Sequence, residues 1–222
     1  MGLLARLTGA AFATTATPAL GWMWYTRATT FVPFPTSSPD FSSATARKFN
    51  PGNNPPVCND MAVRTVPLDQ LKTTDQETLT RQFCQGIWSG PGFEIQRRYL
   101  ARKYQQLGGR WDHLWEKADL KSSRYNVGTK IADHFEVVER TDEKVVVRCG
   151  DSPLNQQPRP SDGLFTIEVN KDDKTATFRL KSIFFNSTPE GRKGGELPEW
   201  FYFLHREYAK LWMETSVRKL LK

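Results

Sequence analysis

FEVVERTDEKVVVRC at residues 135–149 and LFTIEVNKDDKTATFRLKSIFF at residues 164–185 decide the fold. Each stretch is a pair of β-branched and aromatic runs around a polar turn. Phe135–Arg140 and Lys144–Cys149 flank Thr141-Asp142-Glu143; Leu164–Asn170 and Thr175–Phe185 flank Lys171-Asp172-Asp173-Lys174. These patterns predict two β-hairpins. Because side chains alternate across a strand, Val145, Val147 and Cys149, then Phe165, Ile167 and Val169, then Ala176, Phe178, Leu180, Ser182 and Phe184 share one face. That face is almost wholly apolar. Arg148, Arg179 and Lys181 point the other way, towards solvent on this reading.

Downstream, Leu197-Pro198-Glu199 opens a helix that the pattern carries from Pro198 to Leu221. Pro is tolerated in a first turn, and Glu suits the positive end of the dipole. Trp200, Phe201, Leu204, Tyr208, Leu211, Trp212, Thr215 and Leu220 recur at helical spacing, and a length of roughly 36 Å would cross a whole sheet. Upstream, Met61–Val66 reads as a short strand. Gln76–Gly86 reads as a helix capped by Thr74 or Asp75, and Phe93–Leu107 as another, ended by Gly108-Gly109. The basic and aromatic run Arg97–Tyr104 is a solvated helix face. Gly150–Gly163 is long for a connection between antiparallel strands, and such loops often carry function.

The expected class is therefore α+β: a curved antiparallel sheet closed by a long C-terminal helix, behind a disordered or targeting N-terminal tail. Residues 1–57 are read as a targeting or anchor segment plus a Pro-rich linker, and 58–222 as a single α+β domain of ligand-binding type. Leu7–Thr26 is uncharged but rich in Ala, Thr and Gly. It fits an organelle presequence, a signal or membrane anchor, or an untargeted tail. Mitochondrial or membrane-associated localisation, with membrane contact through residues 7–26, stands beside a cytoplasmic alternative. Phe31–Pro56 holds six prolines among Ser, Thr and Asn, a composition that buries little apolar surface.

Over 222 residues the net charge is +7, compatible with anionic partners without calling for specific nucleic-acid binding. Three cysteines, Cys58, Cys84 and Cys149, form no even-numbered disulfide framework. No Walker loop, dinucleotide fingerprint, nucleophile elbow or metal-spaced His/Cys cluster is present. Neither a cofactor nor a metal is expected.

With an early strand, helices behind it, an antiparallel sheet and a long last helix, residues 58–222 resemble the helix-grip domains, the superfamily of START lipid carriers and aromatic polyketide cyclases. Arg148-Cys149-Gly150-Asp151-Ser152-Pro153, Ser161-Asp162-Gly163-Leu164-Phe165 and Phe203-Leu204-His205-Arg206-Glu207-Tyr208-Ala209-Lys210 further resemble fungal proteins encoded beside biosynthetic enzymes. The resemblance implies a lipophilic small molecule held between sheet and helix. It brings no catalytic set.

Candidate chemistry comes from the rim. His205, which borders the apolar stripe of the last helix, and His134, beside Asp133, are candidate general bases. Arg206, Tyr202 or Tyr208 could stabilise an enolate. Tyr202, Tyr208, Trp212, Phe165, Phe178, Phe184 and Cys149 are the candidate substrate contacts. Asp151 and Asp162 bracket the long loop in turn sequences. Three functions stay open: a cofactor-independent cyclase or isomerase of secondary metabolism, a non-catalytic lipid or metabolite carrier, and a mitochondrial structural or assembly protein with a filled core.

Overall fold

The computed structural model describes residues 18–222. Seven strands make one sheet, every neighbouring pair antiparallel: β1 Thr30–Val32, β2 Cys58–Pro67, β3 Lys130–Ile131, β4 Phe135–Arg140, β5 Lys144–Cys149, β6 Asp162–Lys171 and β7 Thr175–Phe185, in the order β1-β2-β7-β6-β5-β4-β3. The outermost strands, β1 and β3, do not meet, so the sheet is open. Both expected hairpins are present, with Val147 opposite Val137 and Phe165, and Ile167 opposite Leu180. A register shift between Val137 and Glu139 bends β4.

The fold is α+β. Helical segments are 18–26 (α1), Ala44–Phe49 (α2), Gln76–Trp88 (α3), Pro91–Tyr104 (α4), Lys117–Ser122 (α5) and Glu199–Val217 (α6). Asp75 caps α3 by accepting from the Thr78 amide at 2.9 Å, which satisfies one free donor of the first turn. α3 and α6 cross the inner face of the sheet and approach each other at Gly86. A Cβ there would lie 2.9 Å from the Ser216 Cβ. The buried Glu214 anchors α6: it accepts from Arg64 of β2 at 2.6 Å, from Thr29 at 2.7 Å and from Arg218 at 3.1 Å.

The largest departure from the sequence reading is at 31–56. This stretch, expected as an unstructured linker, is folded. Its Phe31 and Val32 lie in β1, paired with Ala62 and Met61. Phe34, Phe41, Ala46 and Phe49 then cover the outer face of the sheet, against Val146, Leu164, Ile183 and Phe185. Few apolar residues suffice because each phenylalanine buries a large area. Polar groups complete the attachment: Ser43 caps α2, and Asn54 Nδ2 donates to the carbonyls of Asn186 and Thr188 at 2.7 and 2.8 Å.

Covering that face changes two charges placed in solvent by strand alternation. Lys181 is buried between Asp40 at 3.0 Å and Glu168 at 2.8 Å. Arg148 lies over the Phe49 ring at 4.6 Å and pairs with Asp162 through two bonds of 2.9 and 2.7 Å. Expectations for residues 1–17, including most of the proposed membrane-associating stretch 7–26, lie outside the described residues. In α1, Leu20, Met23 and Trp24 are exposed. Among the described residues no helix is long and apolar enough to cross a membrane.

Candidate functional site

A cavity of about 540 Å³ lies between one end of the sheet and the first half of α6. Its sheet wall is Phe135 of β4, Cys149 of β5, Phe165 of β6 and Phe184 of β7. Its helix wall is Phe201, His205, Tyr208, Ala209 and Trp212 of α6, with Gln96 reaching in from α4. The loops at Gly150–Asp162 and Asn186–Leu197 contribute the mouth. Small residues make the room, Cys149 and Gly150 on the sheet side and Ala209 on the helix. At Gly150, φ is +106° and a Cβ would stand 2.7 Å from the Ser161 carbonyl oxygen. That backbone geometry favours glycine.

An aromatic cluster floors the space. Trp88 meets Phe135 at 4.8 Å, Phe93 at 5.1 Å and Trp212 at 5.3 Å between ring centroids. Polar groups on the lining are few. The Tyr208 hydroxyl donates to Gln96 Oε1 at 3.0 Å, and burial pushes its pKa up to about 12. It is a donor, not an anion, near neutrality. His134 meets Phe135 edge to face at 4.9 Å. Burial lowers its pKa, opposed by Asp151 and Asp133 and assisted by Arg159, so the ring favours its neutral form. Asp162 also reaches the lining, but Arg148 and the Ser187 hydroxyl, at 2.7 Å, occupy its oxygens.

His205 joins the cavity to a buried polar group. Its Nε2 lies 3.1 Å from Ser182 Oγ and 3.3 Å from Asp60 Oδ2, while the ring packs edge to face on Phe184. Donor atoms of Cys58, Asp60 and His205 all fall within 4.8 Å of one another. Asp60 is 7% exposed, and neither carboxylate oxygen has a hydrogen-bond partner among the described residues. The arrangement is not a proton relay. A relay needs the acid and the nucleophile on opposite ring nitrogens, whereas Asp60 and Ser182 both address Nε2. Burial, with Asp60 nearby, pushes the Cys58 thiol up to about 12. Burial does the same to Cys149, to about 12, so neither is a ready nucleophile.

Of the residues singled out from sequence, His134, His205, Cys149, Phe165, Phe184, Tyr208 and Trp212 come together on this cavity. Four do not reach it. Phe178 is wholly buried against Phe83, in the filled part of the core. Tyr202 turns to β2 and donates to the Asn59 carbonyl at 2.5 Å. Arg206 lies over the Phe31 ring at 4.0 Å, held there by the strand that was read as linker. Asp133 faces away from the lining and clamps two loops, accepting from Arg110 at 2.6 Å and Ser152 at 2.6 Å, with His113 Nδ1 at 3.5 Å. Asp151 serves its own turn, accepting from the Ser152 amide and Asn155 Nδ2, both at 2.7 Å.

Gln96, Cys58, Asp60 and Ser182 were not picked out as site residues. The signal for Cys58 and Asp60 was available: extending the strand alternation back from Ala62 places both on the inner face, and an inward aspartate is costly unless something meets it. No protein-family model, no curated protein and no solved structure matches the chain.

Proposed function

We propose that the protein binds a lipophilic small molecule in the space between the sheet and α6, as a carrier of the helix-grip kind. The observation that carries this reading is the cavity itself. Its volume, about 540 Å³, is that of a typical ligand site, and its lining is mostly apolar with a few convergent polar groups. A structural protein with a filled core needs no such space. Native mass spectrometry and solvent extraction of the purified full chain test the reading, together with uptake of an environment-sensitive apolar fluorophore. Retained ligand or saturable uptake is expected, and Ala209→Trp should block uptake. A chain that retains nothing and takes up no probe would return weight to the structural reading.

A second reading, a cofactor-independent cyclase or isomerase, is favoured by one observation: two imidazoles and the Tyr208 phenol share the lining of one apolar space. A base and a hydrogen-bond donor around an oriented substrate can lower a barrier without a cofactor. His134→Ala and His205→Ala separate the readings. A carrier keeps its ligand unchanged in composition, whereas an enzyme accumulates unconverted substrate.

A further inference from the structure

We propose that Cys58, Asp60 and His205 form a binding site for a single zinc ion at the wall of the cavity. Cys58 and Asp60 stand two residues apart on β2, so strand alternation presents both to the same face. His205 arrives from α6. The three donor atoms already lie within 4.8 Å of one another. In a tetrahedral zinc site with bonds of about 2.0–2.3 Å, ligand atoms stand roughly 3.3–3.8 Å apart. The His205 Nε2 to Asp60 Oδ2 separation of 3.3 Å is already in that range.

The independent observation is the state of Asp60. A buried carboxylate ordinarily collects hydrogen bonds on both oxygens, yet among the described residues neither Oδ1 nor Oδ2 has one. Ser182 Oγ is close enough to bond to the imidazole at 3.1 Å, and Asp60 Oδ2 has the ion-pair contact to His205 Nε2 at 3.3 Å without a hydrogen bond on either oxygen among the described residues. A cation with thiolate, carboxylate and imidazole ligands would satisfy it. A mixed sulfur, oxygen and nitrogen set selects zinc over magnesium or calcium, which prefer all-oxygen shells. Three protein ligands leave a fourth position for water. On binding, the Cys58 thiol loses its proton to solvent and the metal–sulfur bond forms, so affinity rises with pH.

The ion would tie the first half of α6 to β2 at the wall of the cavity, on the half of the helix that Glu214 does not anchor. It would also occupy Nε2 of His205, removing that nitrogen as a proton acceptor. The site stands whether or not the cavity holds a ligand.

The test is titration of the metal-free full chain with cobalt(II), followed by displacement with zinc. We expect one cobalt per chain with a thiolate-to-metal charge-transfer band, abolished by Cys58→Ser. Asp60→Asn and His205→Ala should weaken zinc binding by more than the roughly 10–100-fold that loss of an outer-sphere partner costs. A missing band, an unchanged band in Cys58→Ser, or equal zinc affinity in all variants would overturn the site. Should the variants misfold, zinc-edge X-ray absorption of the unsubstituted protein decides. One sulfur among nitrogen and oxygen neighbours is expected, and a shell without sulfur refutes the proposal. Uptake of the apolar fluorophore by the metal-free protein reads the cavity separately, so failure of one claim does not disguise failure of the other.

Discussion

Under α3, the inner face of the sheet is packed solid: Val145, Ile167, Ala176 and Phe178 are buried, and Phe83 meets Phe178 edge to face at 5.1 Å. At the other end of the same strands, Cys149, Phe165 and Phe184 line a cavity of about 540 Å³ together with His205 and Tyr208 of α6. The difference lies in what holds α6. Its second half is pinned by Glu214 and by the close crossing at Gly86 and Ser216. Its first half carries the exposed Trp200, Phe203 and Leu204 and is held by single side-chain contacts, Tyr202 to the Asn59 carbonyl, His205 to Ser182 and Tyr208 to Gln96. One helix thus closes a core at one end and roofs a space at the other. Stability should reside in the first region and binding in the second.

The largest effect should come from damaging the filled end. Phe178→Ala removes a wholly buried ring and should cost about 3–5 kcal/mol in urea denaturation. The surviving folded fraction should bind an apolar probe with unchanged affinity, because Phe178 does not line the cavity. Lost affinity at preserved fold would erase the division between the ends.

A matched pair sharpens the comparison at smaller cost. Ala176 in the filled end and Ala209 on the cavity wall are both buried alanines. Ala176→Leu overpacks a tight core and should destabilise by about 1–3 kcal/mol. Ala209→Leu enters open space, so it should be neutral or stabilising by about 0.5–2 kcal/mol while weakening probe binding by roughly 10-fold or more, about 1.4 kcal/mol. Equal destabilisation by the two substitutions would mean that the hollow end is not hollow.

How much of this was legible in the sequence follows from how local each signal is. The hairpins at 135–149 and 164–185 repeat at fixed periods, so their elements and inner faces could be read directly; of the stripe expected on the last helix, Trp212, Thr215 and Leu220 are buried, whereas Trp200, Phe201 and Leu204 are exposed. Helical spacing puts His205 at the rim, and His134 stands beside Asp133 at the entry to the first hairpin. The strap of Phe34, Phe41 and Phe49 could not be read this way, because its packing partners Leu164, Ile183 and Phe185 are more than a hundred residues away. Its prolines speak of local backbone, not of what the phenylalanines cover. The outward apolar residues Ile183 and Phe185 were the overlooked hint, since a solvated face has no need of them. The same non-locality hid the meeting of Cys58 and Asp60 with His205. Cys58 and Asp60 share a face within β2, but only the packing of α6 against β2 brings His205 to them. Arg206 was misplaced for a related reason: a helical position fixes a direction, but β1 decides what that direction meets.

The smallest expected effect is a pH dependence belonging to the hollow end and its supporting loops. Burial lowers the pKa of His134 and also that of His113. His113 faces Asp133 and Asp112, which oppose the shift, and Lys130 and Arg110, which add to it. In both cases the folded value falls below the ordinary 6.5. Between that lowered value and about 6.5 the unfolded chain therefore holds more protons than the folded one, and stability rises with pH. The contribution is complete above about pH 6.5 and is lost as pH falls through the window, at no more than about 1.4 kcal/mol per pH unit for each proton. Urea denaturation across about pH 5–8 should show this fall. His113→Asn and His134→Gln should each flatten it, while Phe178→Ala lowers the whole curve without changing its shape. A profile that stays level, or that rises towards acid, would show that these two rings are not held neutral by the fold.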